Sequence, residues 1–200
     1  MSTARARQPR LSIEVRREQV LDAALELIVE DGYAATTMEA IARRVDIAKP
    51  VVYNAYPDRG ALLTALLERQ ESRAMQMLAE AMPPRSTAAD PTEAMLAWAH
   101  RLATAVREDP ATWRLMLLPA DGTPAVVREH VDEGRAFVLA QARALLDEIF
   151  AGRDLDLDLA ANGVVATAEQ LGRLLIADPE AYTPDRIMAF VRQALRLLTA

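Results

Sequence analysis

The feature that most narrows what this chain can fold into is the interval Val45 to Pro50, VDIAKP, which ends one helix and starts another within a single short turn. Upstream, Met38, Ile41, Ala42 and Val45 fall on one helical face, and Arg43 and Arg44 stand at its C-terminal end, where cations favour the helix dipole. Thr36 with Glu39 has the form of a capping box, which places the start of that helix at about Thr37. Proline is tolerated only in the first turn of a helix, where its missing N–H has no partner to lose. Pro50 therefore predicts a second helix from near Lys49 to about Ala55, with Asp46 and Ile47 making the turn. Pro57-Asp58 stops it, and Asp58 is placed to cap a third helix through GALLTALLERQ. Two short helices joined this tightly form a helix-turn-helix, whose second helix offers its N-terminal residues to base edges.

Together with VRREQVLDAALELIVEDGYAATTM before it, the segment resembles the DNA-binding domain of the TetR family of bacterial transcription regulators from about Val15 to Leu67. The matching features are the Ala23-Ala24 pair, Gly32-Tyr33, the Thr36-Thr37 pair, Ile41-Ala42 and the run ending in Tyr53 and Pro57. Three positions depart from the family pattern: Asp46 where glycine is common, Ala55 where histidine or tyrosine often touches phosphate, and Tyr56 where phenylalanine is usual. Aspartate tolerates a left-handed backbone, so the turn survives the first departure. The resemblance implies an all-α fold, an N-terminal three-helix helix-turn-helix domain followed by a six-helix ligand-binding and dimerisation body. It also implies a homodimer through the last two helices and an inducer cavity beside the fourth.

Composition agrees with helices: 52% of the 200 residues are apolar, only 4% aromatic, and Ala and Leu dominate. The absence of cysteine excludes a disulfide framework and any thiolate metal site. No apolar run has the length of a membrane span, and MSTARARQPR lacks the apolar core of a signal peptide, so the expectation is a cytoplasmic, nucleoid-associated protein without a membrane partner. The formal net charge of -6 argues against nucleic acid until it is divided. Residues 1–60 carry nine basic and nine acidic side chains, so all the net negative charge lies beyond them. A neutral head on an acidic body orients itself on DNA, because phosphate repels the body. The punctuation gives a mobile basic arm over 1–11 with Arg5, Arg7 and Arg10, a DNA-binding domain over 12–57, and a helical body over 58–200.

On the second helix, Lys49, the only lysine, is expected with Val51 and Asn54 at base edges, while Thr37, Arg44, Tyr53 and Arg59 hold phosphates. In the body, Met75, Trp98, Leu102, Trp113, Met116 and Phe137 come from four predicted helices and are the candidate lining of an apolar ligand pocket. Leu171, Leu174, Leu175, Phe190, Val191 and Leu195 give the last two helices more apolar surface than one domain edge needs, and are the candidate dimer interface; Gly163 and Gly172 add close approach. His100 and His130 are the only histidines and neither belongs to a catalytic spacing. Asp132 and Glu133 beside His130 make too weak a cluster for a metal, and no glycine-rich phosphate loop occurs, so no enzyme, cofactor or metal is expected. The expected function is a TetR-like regulator, a repressor released from a palindromic operator by a small apolar or amphipathic effector. The alternative is a helical dimeric ligand-binding or protein-interaction module without operator binding; binding to DNA at moderate salt separates the two.

Overall fold

The structure, a computed structural model, describes residues 12–81, 91–118 and 125–199, so the expected basic arm lies outside the described residues, as do the side chains of His130 and Leu195. The described residues form nine helices and no strand. The chain divides into two compact units, Met1–Leu66 and Leu67–Ala200, with the boundary inside the fourth helix.

The first unit holds α1 (Ile13–Ala35), α2 (Met38–Val45), α3 (Lys49–Ala55) and the start of α4 (Arg59–Ala81). Ser12 caps α1 by accepting the Val15 amide at 3.3 Å. Gly32 breaks the helix with φ 80 and ψ 174, but helical backbone resumes through Ala35. The reason is Tyr33, which is 2% exposed and holds this extra turn against the core. The capping box is corrected. Thr36 is fully buried and donates its hydroxyl to the Gly32 carbonyl at 3.0 Å. The α2 cap is Thr37, which accepts from the Ala40 amide at 3.1 Å, and this shift leaves Glu39 one position short of the capping-box partner.

Asp46 takes the left-handed conformation the turn demands, at φ 56 and ψ 49. That step returns the Ile47 amide to the Ala42 carbonyl at 3.0 Å and sends α3 away at a new angle. Val20, Ile41, Val52 and Leu62, one from each of the four helices, have no exposed surface and make up the buried seam of the head. Arg17 clamps the far end of α3, donating to the Ala55 carbonyl at 3.0 Å while lying 5.4 Å from the Tyr56 ring centre. Asp58 caps α4 as expected, accepting from Ala61 at 2.8 Å.

The second unit contains the rest of α4 with α5 (Pro91–Glu108), α6 (Pro110–Leu117), α7 (Ala125–Ile149), α8 (Leu157–Ala177) and α9 (Pro184–Thr199). Its core gathers Ala74, Val106, Trp113, Leu175, Ile176 and Ile187, with α8 packed against α5, α6 and α7. Gly172 lets α8 pass close to α6, since a Cβ there would stand 2.7 Å from Leu117 Cδ1. One polar chain crosses this interior: the Gln70 amide donates to Thr112 Oγ1 at 2.7 Å, and Thr112 donates to Asp109 Oδ2 at 2.9 Å. Asp109 caps α6 through the Thr112 amide and also pairs with Arg73.

The Tyr33 hydroxyl is buried without a hydrogen-bond partner among the described residues, and burial pushes its pKa from 10.0 to about 12. Between these values the unfolded chain gives up its phenol proton and the folded chain keeps it, so stability complete below about pH 10 falls as pH rises towards 12. Thermal melts of Tyr33→Phe across this range are expected to show a shallower alkaline decline than the parent.

Candidate nucleic-acid interface and body cavity

The α3 helix buries Val52 and Ala55, which leaves Lys49, Pro50, Tyr53 and Asn54 on the opposite, exposed face, with Val51 half-buried at its edge. Lys49 pairs with Glu39 of α2 and lies 5.6 Å from the Tyr53 ring centre. The hydrogen bond from Lys49 holds the Glu39 carboxyl below the usual carboxylate range, and Glu39 in turn raises the Lys49 ammonium. Arg44 is gripped by two carboxylates of α1, Glu30 at 2.6 Å and Glu26 at 3.0 Å. Thr37 is exposed but its oxygen serves as the α2 cap. Arg59 is half-buried and donates to the Thr36 carbonyl at 2.8 Å and to that of Tyr33, so it straps the link between α1 and α2. The basic side chains expected on DNA are thus present on the head, and three of them, Arg44, Lys49 and Arg59, have acceptors within it. Nothing local in the sequence announces these pairings, which join residues ten to twenty-six positions apart.

The body encloses a cavity of about 620 Å³, within the roughly 300–1,000 Å³ range of small-molecule pockets. All six residues singled out for a pocket line it: Met75, Trp98, Leu102, Trp113, Met116 and Phe137. Phe137 is 55% exposed and Trp113 6% exposed, so the lining runs from the surface to the core. Both indole N–H groups are buried without a hydrogen-bond partner among the described residues. The charged lining residues went unforeseen: Glu169 receives Arg135 at 2.7 Å and Arg173 at 3.2 Å, and Arg173 also donates to the Leu117 carbonyl at 3.0 Å. Glu71 and Asp132 complete this polar side. An amphipathic molecule fits such a lining, apolar over most of its length and polar at one side.

The family profile described as "Bacterial regulatory proteins, tetR family" matches residues 20–66, the helices and turn just described. The chain belongs to the TetR family. Among similar proteins, the HTH-type transcriptional repressor KstR of Rhodococcus jostii (strain RHA1) is 30% identical over 138 residues, 68% of this chain and 58% of the relative. The chain thus spans little more than half the length of the KstR proteins it matches. The whole fold is that of TetR-like regulators. A TetR-like transcriptional regulator from Rhodococcus sp. RHA1 superposes with a TM-score of 0.72 at 24% identity, over 95% of this chain and 99% of the other. The transcriptional regulator FadR from Bacillus subtilis, solved in complex with stearoyl-CoA, gives 0.69 at 19% identity, over 90% and 96%.

In this TetR-family body the residues expected at a dimer interface divide. Leu175 is 5% exposed inside its own protomer's core, which leaves it no surface to offer a second copy. Leu171 and Val191 pack against that core and line the cavity, and Leu174 is half-buried. Phe190 is 54% exposed on α9, and Leu159 at the start of α8 is 72% exposed. The inward turn of Leu171 and Leu175 follows from their spacing of one helical turn, which puts both on the face of α8 that closes the core.

The sequence contains two tryptophans and both line the cavity, so their emission reports its occupancy. The neutral apolar dye N-phenyl-1-naphthylamine is expected to quench that emission by energy transfer and to saturate at one dye per chain. Titration of Met116→Trp, which narrows the space, is expected to show weaker uptake.

Proposed function

We propose that this TetR-family protein is a homodimeric transcription regulator that binds a palindromic double-stranded operator through α3 and acts chiefly as a repressor. The observation that carries the reading is the α3 surface, a short helix held by a buried seam with Lys49, Tyr53 and Asn54 turned outward beside the exposed Arg43. Lys49 and Asn54 are the base readers and Val51 the apolar neighbour, with Tyr53, Thr37 and Arg44 at phosphates. Arg59 serves the site indirectly, by fixing the link that orients α2. Repression is the reading favoured by the likeness to the repressor KstR.

The effector is a small apolar or amphipathic molecule held in the body cavity, a reading supported by the lining and by the stearoyl-CoA complex of the structurally similar FadR. α4 contributes Leu62 and Leu66 to the head's core and Met75 and Leu78 to the cavity, so it is the element through which occupancy reaches the head. An effector that binds the released state about 100-fold better than the DNA-bound state supplies about 2.7 kcal/mol, enough to empty an operator. The protein works in the cytoplasm at the nucleoid; among the described residues no helix is long and apolar enough to cross a membrane. Pairing uses the outward faces of α8 and α9, with Phe190 at their surface.

Selection of bound sequences from a random DNA pool tests the reading, and a palindromic consensus is the expected result. On that consensus Lys49→Ala is expected to lose about tenfold or more in affinity while random DNA loses less; equal loss on both makes Lys49 a phosphate contact. Sedimentation of Phe190→Glu is expected to show a monomer, because pairing would bury an unpartnered carboxylate. A pool with no enrichment favours the ligand-binding or protein-interaction module instead.

A further inference from the structure

Residues 1–60 are electrically balanced, and the two basic side chains nearest the α2–α3 turn are each held by carboxylates of the same unit: Lys49 by Glu39, Arg44 by Glu26 and Glu30. Of these carboxylates, Glu39 stands apart. It lies in the first turn of α2 but is not the N-cap, which is Thr37, and both members of its pair are 48% exposed. Its hydrogen-bonded partner is the one lysine of the chain, at the first residue of the reading helix.

We infer that Glu39 is a specificity-determining residue, a carboxylate within the head that competes with DNA phosphate for Lys49. Random DNA binds almost wholly by exchanging counterions for Lys and Arg at phosphates, so a cation already neutralised in the free protein contributes little to it. Phosphate must displace the carboxylate and then lies close to a negative charge left without its partner. Base edges carry no such penalty for the ammonium: held by Glu39 and over the Tyr53 ring, Lys49 is confined near the exposed face of α3, where guanine O6 and N7 are acceptors it can meet without crossing to the backbone. The pair therefore lowers affinity for all DNA but lowers it most where only phosphate is on offer. Exposed pairs of this kind are weak individually, which places the effect in the range where a single carboxylate tunes binding without abolishing it.

The inference rests on operator binding by α3, and the test separates the two. The full-length protein, Glu39→Gln, Lys49→Ala and the double variant are titrated with a short duplex of random sequence and with the selected consensus, over a series of salt concentrations. Melting curves and circular dichroism confirm that each is folded. Glu39→Gln is expected to bind random duplex about threefold to tenfold more tightly, with a salt dependence steeper by about 0.9 in the log–log slope, the value of one added phosphate contact. The consensus is expected to gain less, so the ratio of specific to random affinity falls. In the Lys49→Ala background the same substitution is expected to change neither affinity nor slope appreciably. Unchanged random-duplex affinity in Glu39→Gln overturns the inference and leaves operator binding standing. Equal tightening with and without Lys49 also overturns it, by showing that Glu39 acts as a general negative charge. A parent protein that binds no duplex at any salt removes the operator reading itself, and the inference with it.

Discussion

The left-handed step at Asp46 is the constraint on which the head depends. At φ 56 the Cβ of an L-residue crowds the carbonyl oxygen that follows it, and aspartate is among the few side chains that take up this conformation. The step lets Ile47 close back on Ala42, and from there α3 leaves at an angle that lays Val52 and Ala55 against α1 and α2. Once those two are buried, a helix of seven residues has only one face left, and its outward residues follow by rotation. Neither length nor capping holds α3 in place, since Ala48 supplies no side-chain cap. Its order is tertiary, drawn from the seam through Ile41 and Leu62 and from the Arg17 clamp on its last turn.

Much of this was legible because the relevant chemistry is local. Asp58 sits one residue before α4 and caps it, and Pro50 marks the first turn of α3. The Thr36-Thr37 pair shows where local reading ends. Both residues are competent caps, and the choice is made by the burial of Tyr33 and the reach of Arg59, which draw Thr36 inward and leave the cap to Thr37. The aromatic and methionine residues that line the cavity could be grouped from four predicted helices, but helical spacing has no means of telling a core face from a pairing face. Leu175 and Phe190 are both apolar residues on terminal helices, and only packing distinguishes the buried one from the exposed one. The polar side of the cavity was invisible for the same reason: Arg135 and Glu169 are thirty-four positions apart.

Charge is arranged differently in the two units. In the head the carboxylates of α1 and α2 are partners for the cations that face outward, so its balance is local as well as total. In the body, Glu169, whose own side chain is 18% exposed, gathers two arginines that line the cavity with it. The same residue types therefore do two kinds of work, screening a surface in one unit and lining a cavity in the other.

The buried chain from Gln70 through Thr112 to Asp109 bears on how the body can deform. Apolar side chains slide over one another at small cost, because dispersion has little directional preference, whereas a buried hydrogen bond fails when its partners shift by a fraction of a helical turn. Gln70 is 2% exposed and Thr112 not exposed at all, so no water stands ready to replace the lost partner. Sliding of α4 past α6 would therefore break this contact, and Trp113 and Met116, one and four residues beyond Thr112 on α6, carry any such shift directly into the lining of the cavity.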